Sequence, residues 1–239
     1  MNIKTTEIER RIEMKYVSLN TLMGGTTGSG KSTILNMMIK NVAEDSDPGY
    51  MVLLDPKKLE LEEWHHHPKT LWYADTVEEC VDVLLRVNDL MWVRYDRAKA
   101  KGLKASDEPN VFVFIDEMTM LMKSKGKKEL AQIIGDLCIL GRAAKIHLIM
   151  CAQNCTQQYI PAIIRDNAVN IVCLHQRDEG KYRYLLGKMP AAGPLPDVGY
   201  AYVSTPWMNR PVRVKAEDVW KTLTEKETTA TNVMKGVGA

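Results

Sequence analysis

The chain has 239 residues, with 32 Lys and Arg against 30 Asp and Glu, a formal net charge of +2 and 45% hydrophobic content. One sizeable α/β core can be built from this, and the charge alone is too small to imply a nucleic-acid partner. No stretch approaches the roughly 18 uninterrupted apolar residues of a membrane span, the polar start is neither a signal peptide nor an anchor, and the five cysteines include no Cys-x-x-Cys pair, so they read as buried thiols of a reducing, cytoplasmic compartment.

Residues 17–23 carry Val, Leu, Thr and Leu and predict a short buried strand. The next segment, Gly25-Thr26-Thr27-Gly28-Ser29-Gly30-Lys31-Ser32-Thr33, matches the phosphate-binding pattern G-x-x-x-x-G-K-[ST]. Apolar residues at helical spacing follow in 34–39 and at Val42. Strand, glycine-rich turn and helix is what this chemistry requires, because glycines let the backbone approach phosphates and the helix-start N–H groups face the negative charge. The pattern therefore predicts a bound nucleoside triphosphate, with Lys31 on the β and γ phosphates and Ser32 coordinating Mg²⁺.

Residues 50–54 predict a second strand, ended by Asp55-Pro56. His65, His66 and His67 precede Pro68; consecutive histidines on a regular element cannot all face one ion, so no metal site is expected there. From Thr76 to about Lys99 runs a long helix whose stripe Val77, Val81, Leu84, Leu85, Met91, Trp92 and Tyr95 reads as core. Five apolar residues, 111–115, predict a strand covered on both faces, which puts Asp116 at its carboxyl end where ligands bind in open α/β sheets. Asp116 is thus the second metal-holding element, and Glu117 beside it is a candidate general base for an attacking water, which favours hydrolysis over transfer. A helix over 129–143, a strand over 147–152 ending at Gln153, and a strand over 169–174 complete the alternation. His147 and His175, in or beside apolar strands, read as core residues, and the 14 methionines as core filling.

Alternating strands and helices predict a mainly parallel sheet covered on both faces. Because a whole strand and helix separate the phosphate loop from the Asp116 strand, and polar Gln153 ends the strand after it, the order is that of RecA-like phosphate-loop ATPases. In such folds a residue in Gln153's place senses the γ-phosphate or orients water.

Taken together, Gly25 to Ser32, the block 54–61 (Leu-Asp-Pro-Lys-Lys-Leu-Glu-Leu), 115–117 (Ile-Asp-Glu) and 140–149 (Leu-Gly-Arg-Ala-Ala-Lys-Ile-His-Leu-Ile) with Ala152-Gln153 resemble the motor domain of FtsK/SpoIIIE DNA translocases in the HerA superfamily. Residues 184–187 and 195–202 are more loosely similar to that family's passage into a last β-hairpin. The resemblance implies a homo-oligomeric ring, usually a hexamer, that threads double-stranded DNA and steps along it by hydrolysing ATP with Mg²⁺. It further implies an arginine donated to the γ-phosphate from a neighbouring subunit, best matched by Arg142, with Arg183 the next candidate at a subunit boundary. The alternative for Arg142 is a helix-end residue complementing the dipole.

The domain expectation is one RecA-like ATPase core over residues 1–222 and a polar tail over 223–239. A core without the family's membrane spans, linker and DNA-reading module suits a plasmid, phage or integrative element, serving DNA transfer, replication or packaging. Two basic sets are candidates for DNA phosphates: Lys123, Lys125, Lys127 and Lys128, and Arg94, Arg97, Lys99, Lys101 and Lys104. The alternatives are a superfamily ATPase that moves protein in a secretion system, or a nucleotide-dependent assembly scaffold.

Overall fold

The computed structural model describes residues 20–46, 49–124, 126–195 and 198–224. Strand β1 (Thr21–Gly24) leads through the glycine-rich turn into helix α1 (Lys31–Glu44), and β2 (Gly49–Leu54) follows. A loop holding one 3-10 turn (Glu62–Trp64) connects to β3 (Thr70–Ala74), then the long helix α2 (Val77–Ala100) and β4 (Asn110–Ile115). A short helix α3 (Met118–Leu121), helix α4 (Lys127–Leu140) and β5 (Ile146–Ala152) come next. The rest is α5 (Ala162–Arg165), β6 (Asn170–Cys173), α6 (Glu179–Leu186), β7 (Tyr200–Ser204), β8 (Val212–Lys215) and α7 (Val219–Thr224).

All eight strands form one sheet in the order β3-β2-β4-β5-β1-β6-β7-β8. The first six are parallel; β7 pairs antiparallel with β6 and β8 antiparallel with β7, closing the sheet with the expected hairpin. The expected RecA-like α/β architecture is therefore the observed one, with β5 lying between the phosphate-loop strand and the Asp116 strand.

Alternation along the central strands assigns each residue to one of two cores. Leu22, Val52, Leu54, Val111, Val113, Ile115, Leu148 and Met150 face the layer of α2 and α4, against Leu84, Val87, Met91, Ile134 and Leu137. Met23, Met51, Leu53, Phe112, Phe114, Ile149 and Cys151 face α1 and α7, against Ile34, Leu35, Met38, Ile39 and Leu223. Burial of both faces explains why the strands read as continuous apolar runs. The five cysteines are all buried and free.

Asn20 fastens the amino end of the parallel strands. Its side chain donates from Nδ2 to Cys138 O at 2.8 Å and accepts at Oδ1 from Leu148 N at 2.9 Å. Its carbonyl accepts from Asn170 N at 2.9 Å. One buried amide thus ties the start of β1 to β5, β6 and α4.

Two expectations need correcting. Helix α2 begins where predicted, with Thr76 Oγ1 accepting from Glu79 N at 3.2 Å, but Arg94 near its end is 4% exposed. Arg94 donates to Ala144 O at 2.8 Å and pairs with Glu108, while Arg97 and Lys101 pair with Glu108 and Asp107. Arg94 therefore packs α2 against the turn before β5 and is no surface cation, whereas Arg97, Lys99, Lys101 and Lys104 are exposed. Helix α4 ends at Leu140, short of 143, because the chain turns at Gly141, whose N–H bonds Leu137 O while its O accepts from Ile146 N.

The predicted strand over 17–23 is seen from residue 21; residues 17–19 lie outside the described ones, as do Lys125 and residues 225–239 of the polar tail. Among the described residues, no helix is long and apolar enough to cross a membrane.

Candidate nucleotide site

Parallel pairing of β1 with β5 sets Gly24 beside Ala152, and β4 with β5 sets Ile115 beside Met150. The segments leaving the carboxyl ends of β1, β4 and β5 therefore emerge side by side. The loop between β1 and α1 is held from both flanks: Gly25 N donates to Ala152 O at 3.2 Å and Thr26 N to His175 O at 3.0 Å. Gly28 and Gly30 have φ of +78° and +94°, the left-handed region that glycine enters without cost.

Gly30 is the N-cap of α1 and provides no side-chain cap, and the first turn of α1 carries no acidic residue. The leading N–H groups of this helix have no carbonyl four residues back to bond, and the dipole adds partial positive charge there. An anion is the complementary ligand. Lys31, the first residue of α1, is 5% exposed and folds back, donating from Nζ to Gly25 O at 2.7 Å and to Thr26 O at 2.8 Å. Burial lowers its pKa, partly countered by nearby anionic groups including Glu117. Two carbonyls poorly match an ammonium, so a phosphate is a better partner for Lys31 than its own loop.

Across from the loop, Asp116 and Glu117 are 1% and 2% exposed. Glu117 caps the short helix α3, its Oε1 accepting from Thr119 N at 3.0 Å and from Gln153 N at 3.2 Å. Gln153 Oε1 in turn accepts from Thr27 Oγ1 at 3.2 Å. Gln153, at the end of β5, therefore bridges the phosphate loop to the acidic pair, a direct result of β5 lying between β1 and β4.

Sequence reasoning missed Lys57. Its Nζ lies 2.6 Å from Asp116 Oδ2 and 3.8 Å from Glu117 Oε2. Burial works against its charge, but the Asp116 and Glu117 carboxylates outweigh it and its pKa is raised. Burial also raises the pKa of Asp116, with Lys57 opposing. The loop is shaped for this: Asp55, fully buried, accepts from Glu60 N and Leu61 N, both at 2.9 Å, and Lys58 takes a left-handed φ of +66°. Asp55 was visible only as the end of a strand; its acceptor role depends on a loop closing back on it.

The residues fit a divalent cation. Asp116 Oδ1 is buried without a hydrogen-bond partner, an anionic oxygen left for a positive ligand, and the half-buried Ser32 opens the adjoining helix.

Arg142 lies elsewhere. It is exposed in the turn between α4 and β5, at the amino end of the parallel strands and so on the opposite edge from the phosphate loop. It cannot complete its own chain's site. Arg183 is exposed on α6 and pairs with Glu179 at 3.2 Å. Lys123 is exposed just after α3, and Lys127 and Lys128 are exposed at the start of α4. The histidine run is engaged in stacking, His65 lying between His66 and Tyr73 at centroid distances of 4.3 and 4.1 Å. Buried His147 has Nε2 2.9 Å from Asn110 Oδ1, and His175 Nδ1 is 2.8 Å from Leu195 O.

The FtsK/SpoIIIE family model matches residues 5–111. A DNA translocase FtsK of Leptospira interrogans is 28% identical over 203 residues, covering 77% of this chain and 21% of the relative. The chain thus spans about a fifth of that relative's length. Among solved structures, the pCW3 conjugation coupling protein TcpA with ATPγS superposes with a TM-score of 0.69 at 20% identity, covering 87% of this chain and 65% of the other. The cytoplasmic domain of the Thermomonospora curvata type VII secretion ATPase EccC gives 0.62 at 21% identity, covering 85% and 28%. At these identities the structures speak for the fold.

Proposed function

We propose, starting from a chain that is an FtsK/SpoIIIE-family phosphate-loop ATPase, that it hydrolyses ATP in a ring of identical subunits to move double-stranded DNA. The observation that carries this is the bridge from Thr27 through Gln153 to Glu117, which joins the phosphate loop to a buried base. Gly25 to Thr33 hold the triphosphate through backbone N–H groups, and Lys31 leaves its two carbonyls for phosphate oxygens. Ser32 and Asp116 would hold Mg²⁺, which when bound would supply charge neutralisation to the triphosphate. Glu117 accepts the proton of the attacking water, and Gln153, fixed to it at 3.2 Å, orients that water.

Hydrolysis is completed by Arg142 of an adjacent subunit. Its exposure at the far edge of the sheet leaves it without access to its own nucleotide, and an always-charged planar donor can contribute about 10³–10⁵ in rate. Lys123, Lys127 and Lys128 are the better set for DNA phosphates, since in the α2 set Arg94 is buried and Arg97 and Lys101 are paired with Glu108 and Asp107. The reading includes a role on a mobile element, in transfer, replication or packaging, and the likeness of fold to a conjugation coupling protein supports it.

A second reading, transport of a protein substrate, is favoured by the likeness to a secretion ATPase. The discriminating measurement is ATP turnover with and without linear duplex DNA, on the wild type, Lys31→Ala and Glu117→Gln. DNA stimulation lost in both variants supports the motor. Turnover indifferent to DNA refutes it in favour of the protein-moving reading.

A further inference from the structure

The Lys57 ammonium occupies one oxygen of the carboxylate that a divalent cation would take, Asp116 Oδ2, and leaves Oδ1 without a hydrogen-bond partner. A divalent cation held by Oδ1 would share one buried carboxylate with the ammonium 2.6 Å from Oδ2, so the two positive charges repel each other and compete for it. The contact is built rather than incidental. Lys57 sits on a loop clamped by buried Asp55 through two backbone N–H groups, with Lys58 in a left-handed conformation to complete the turn. Its Nζ also lies 3.8 Å from Glu117 Oε2, so one cation serves both carboxylates. Without a positive charge, two adjacent anions would be buried together, which is unfavourable enough that a resident counter-ion has a physical purpose.

We propose that Lys57 is a resident counter-ion that competes with the divalent cation for Asp116, so that metal entry and Lys57 release are one exchange. The protein then holds its acid pair neutralised and Glu117 screened until metal arrives, and Lys57 sets the metal concentration at which the site becomes competent. This rests on the reading of Asp116 as the metal-holding residue.

The test uses nucleotide-free full chain titrated with Mn²⁺ and followed by electron paramagnetic resonance, comparing wild type with Lys57→Met, Lys57→Gln and Asp116→Asn. Removing a charge-assisted contact that metal must displace tightens Mn²⁺ binding in Lys57→Met and Lys57→Gln by about tenfold or more, while Asp116→Asn abolishes it. Melting temperature read in the same samples gives a second measure: millimolar Mg²⁺ raises it more in Lys57→Met than in wild type. Unchanged or weaker Mn²⁺ affinity in both Lys57 variants, with Asp116→Asn still abolishing binding, overturns the exchange alone. Mn²⁺ binding indifferent to Asp116→Asn overturns the metal reading beneath it.

Discussion

Replacing Glu117 separates chemistry from architecture, because one of its oxygens is structural and the other is not. Oε1 accepts from Thr119 N at 3.0 Å and Gln153 N at 3.2 Å, while Oε2 is buried with no hydrogen-bond partner among the described residues and lies 3.8 Å from Lys57 Nζ. Glu117→Gln retains an oxygen for both N–H groups, so stability should change by less than about 1 kcal/mol. It removes the proton acceptor, so ATP turnover should fall about 10²–10⁴-fold with nucleotide affinity nearly unchanged. Glu117→Ala orphans two buried donors at about 1–2 kcal/mol each, a loss of about 2–4 kcal/mol, which lowers Tm by roughly 10 °C in a domain of this size. The assays are steady-state phosphate release, binding of a fluorescent ATP analogue, and thermal melts of both variants. Turnover in Glu117→Gln within tenfold of wild type would refute the base assignment, and an unshifted Tm in Glu117→Ala would refute the structural one.

Lys31→Ala should weaken binding of the fluorescent nucleotide by at least about tenfold while leaving Tm within a few degrees, since only contacts to its own loop carbonyls are lost. Asn20→Asp, read by urea unfolding, should cost about 2–5 kcal/mol, because a carboxylate oxygen would face Cys138 O in a buried setting where an N–H now donates. Burial and neighbouring cations hold the His147 pKa down to about 3, against 6.5 in the unfolded chain. The stability this represents is complete above about pH 6.5 and is lost as pH falls from there toward 3; at pH 4.5 the loss is about 3 kcal/mol, and His147→Gln should flatten that part of the stability profile. Arg142→Ala should leave nucleotide binding intact and abolish turnover, and mixing it with Glu117→Gln should restore some activity through interfaces that pair an intact base with an intact arginine.

Legibility followed the physics of each signal. The strands buried on both faces, such as Asn110–Ile115 and Ile146–Ala152, announced themselves as apolar runs. So did the phosphate loop, whose glycines are fixed by backbone geometry. Strand Thr70–Ala74 was missed because it is the sheet edge, with only Ala74 buried and no alternation to read. Arg94 was misplaced by its neighbours' charge, yet its spacing of three from Met91 and four to Ala98 put it on the buried stripe. Lys57 had no local signal at all. A lysine in an aperiodic loop gains its role only when β2 and β4 pair and bring residues 55–57 beside Asp116. Short helices such as Ala162–Arg165 are held by tertiary packing and leave little periodicity.

Strand β5 has Gln153 immediately past one end and Arg142 four residues before the other, and all seven of its residues are buried. At about 3.3 Å per residue it is an inextensible strut of roughly 23 Å running through the middle of the protein. Each subunit of a ring would thereby own one rigid spoke with a sensor of its own fuel at the tip and the trigger for its neighbour at the root. In such a ring, successive firing would need no separate transmission, because the spoke would itself be the linkage.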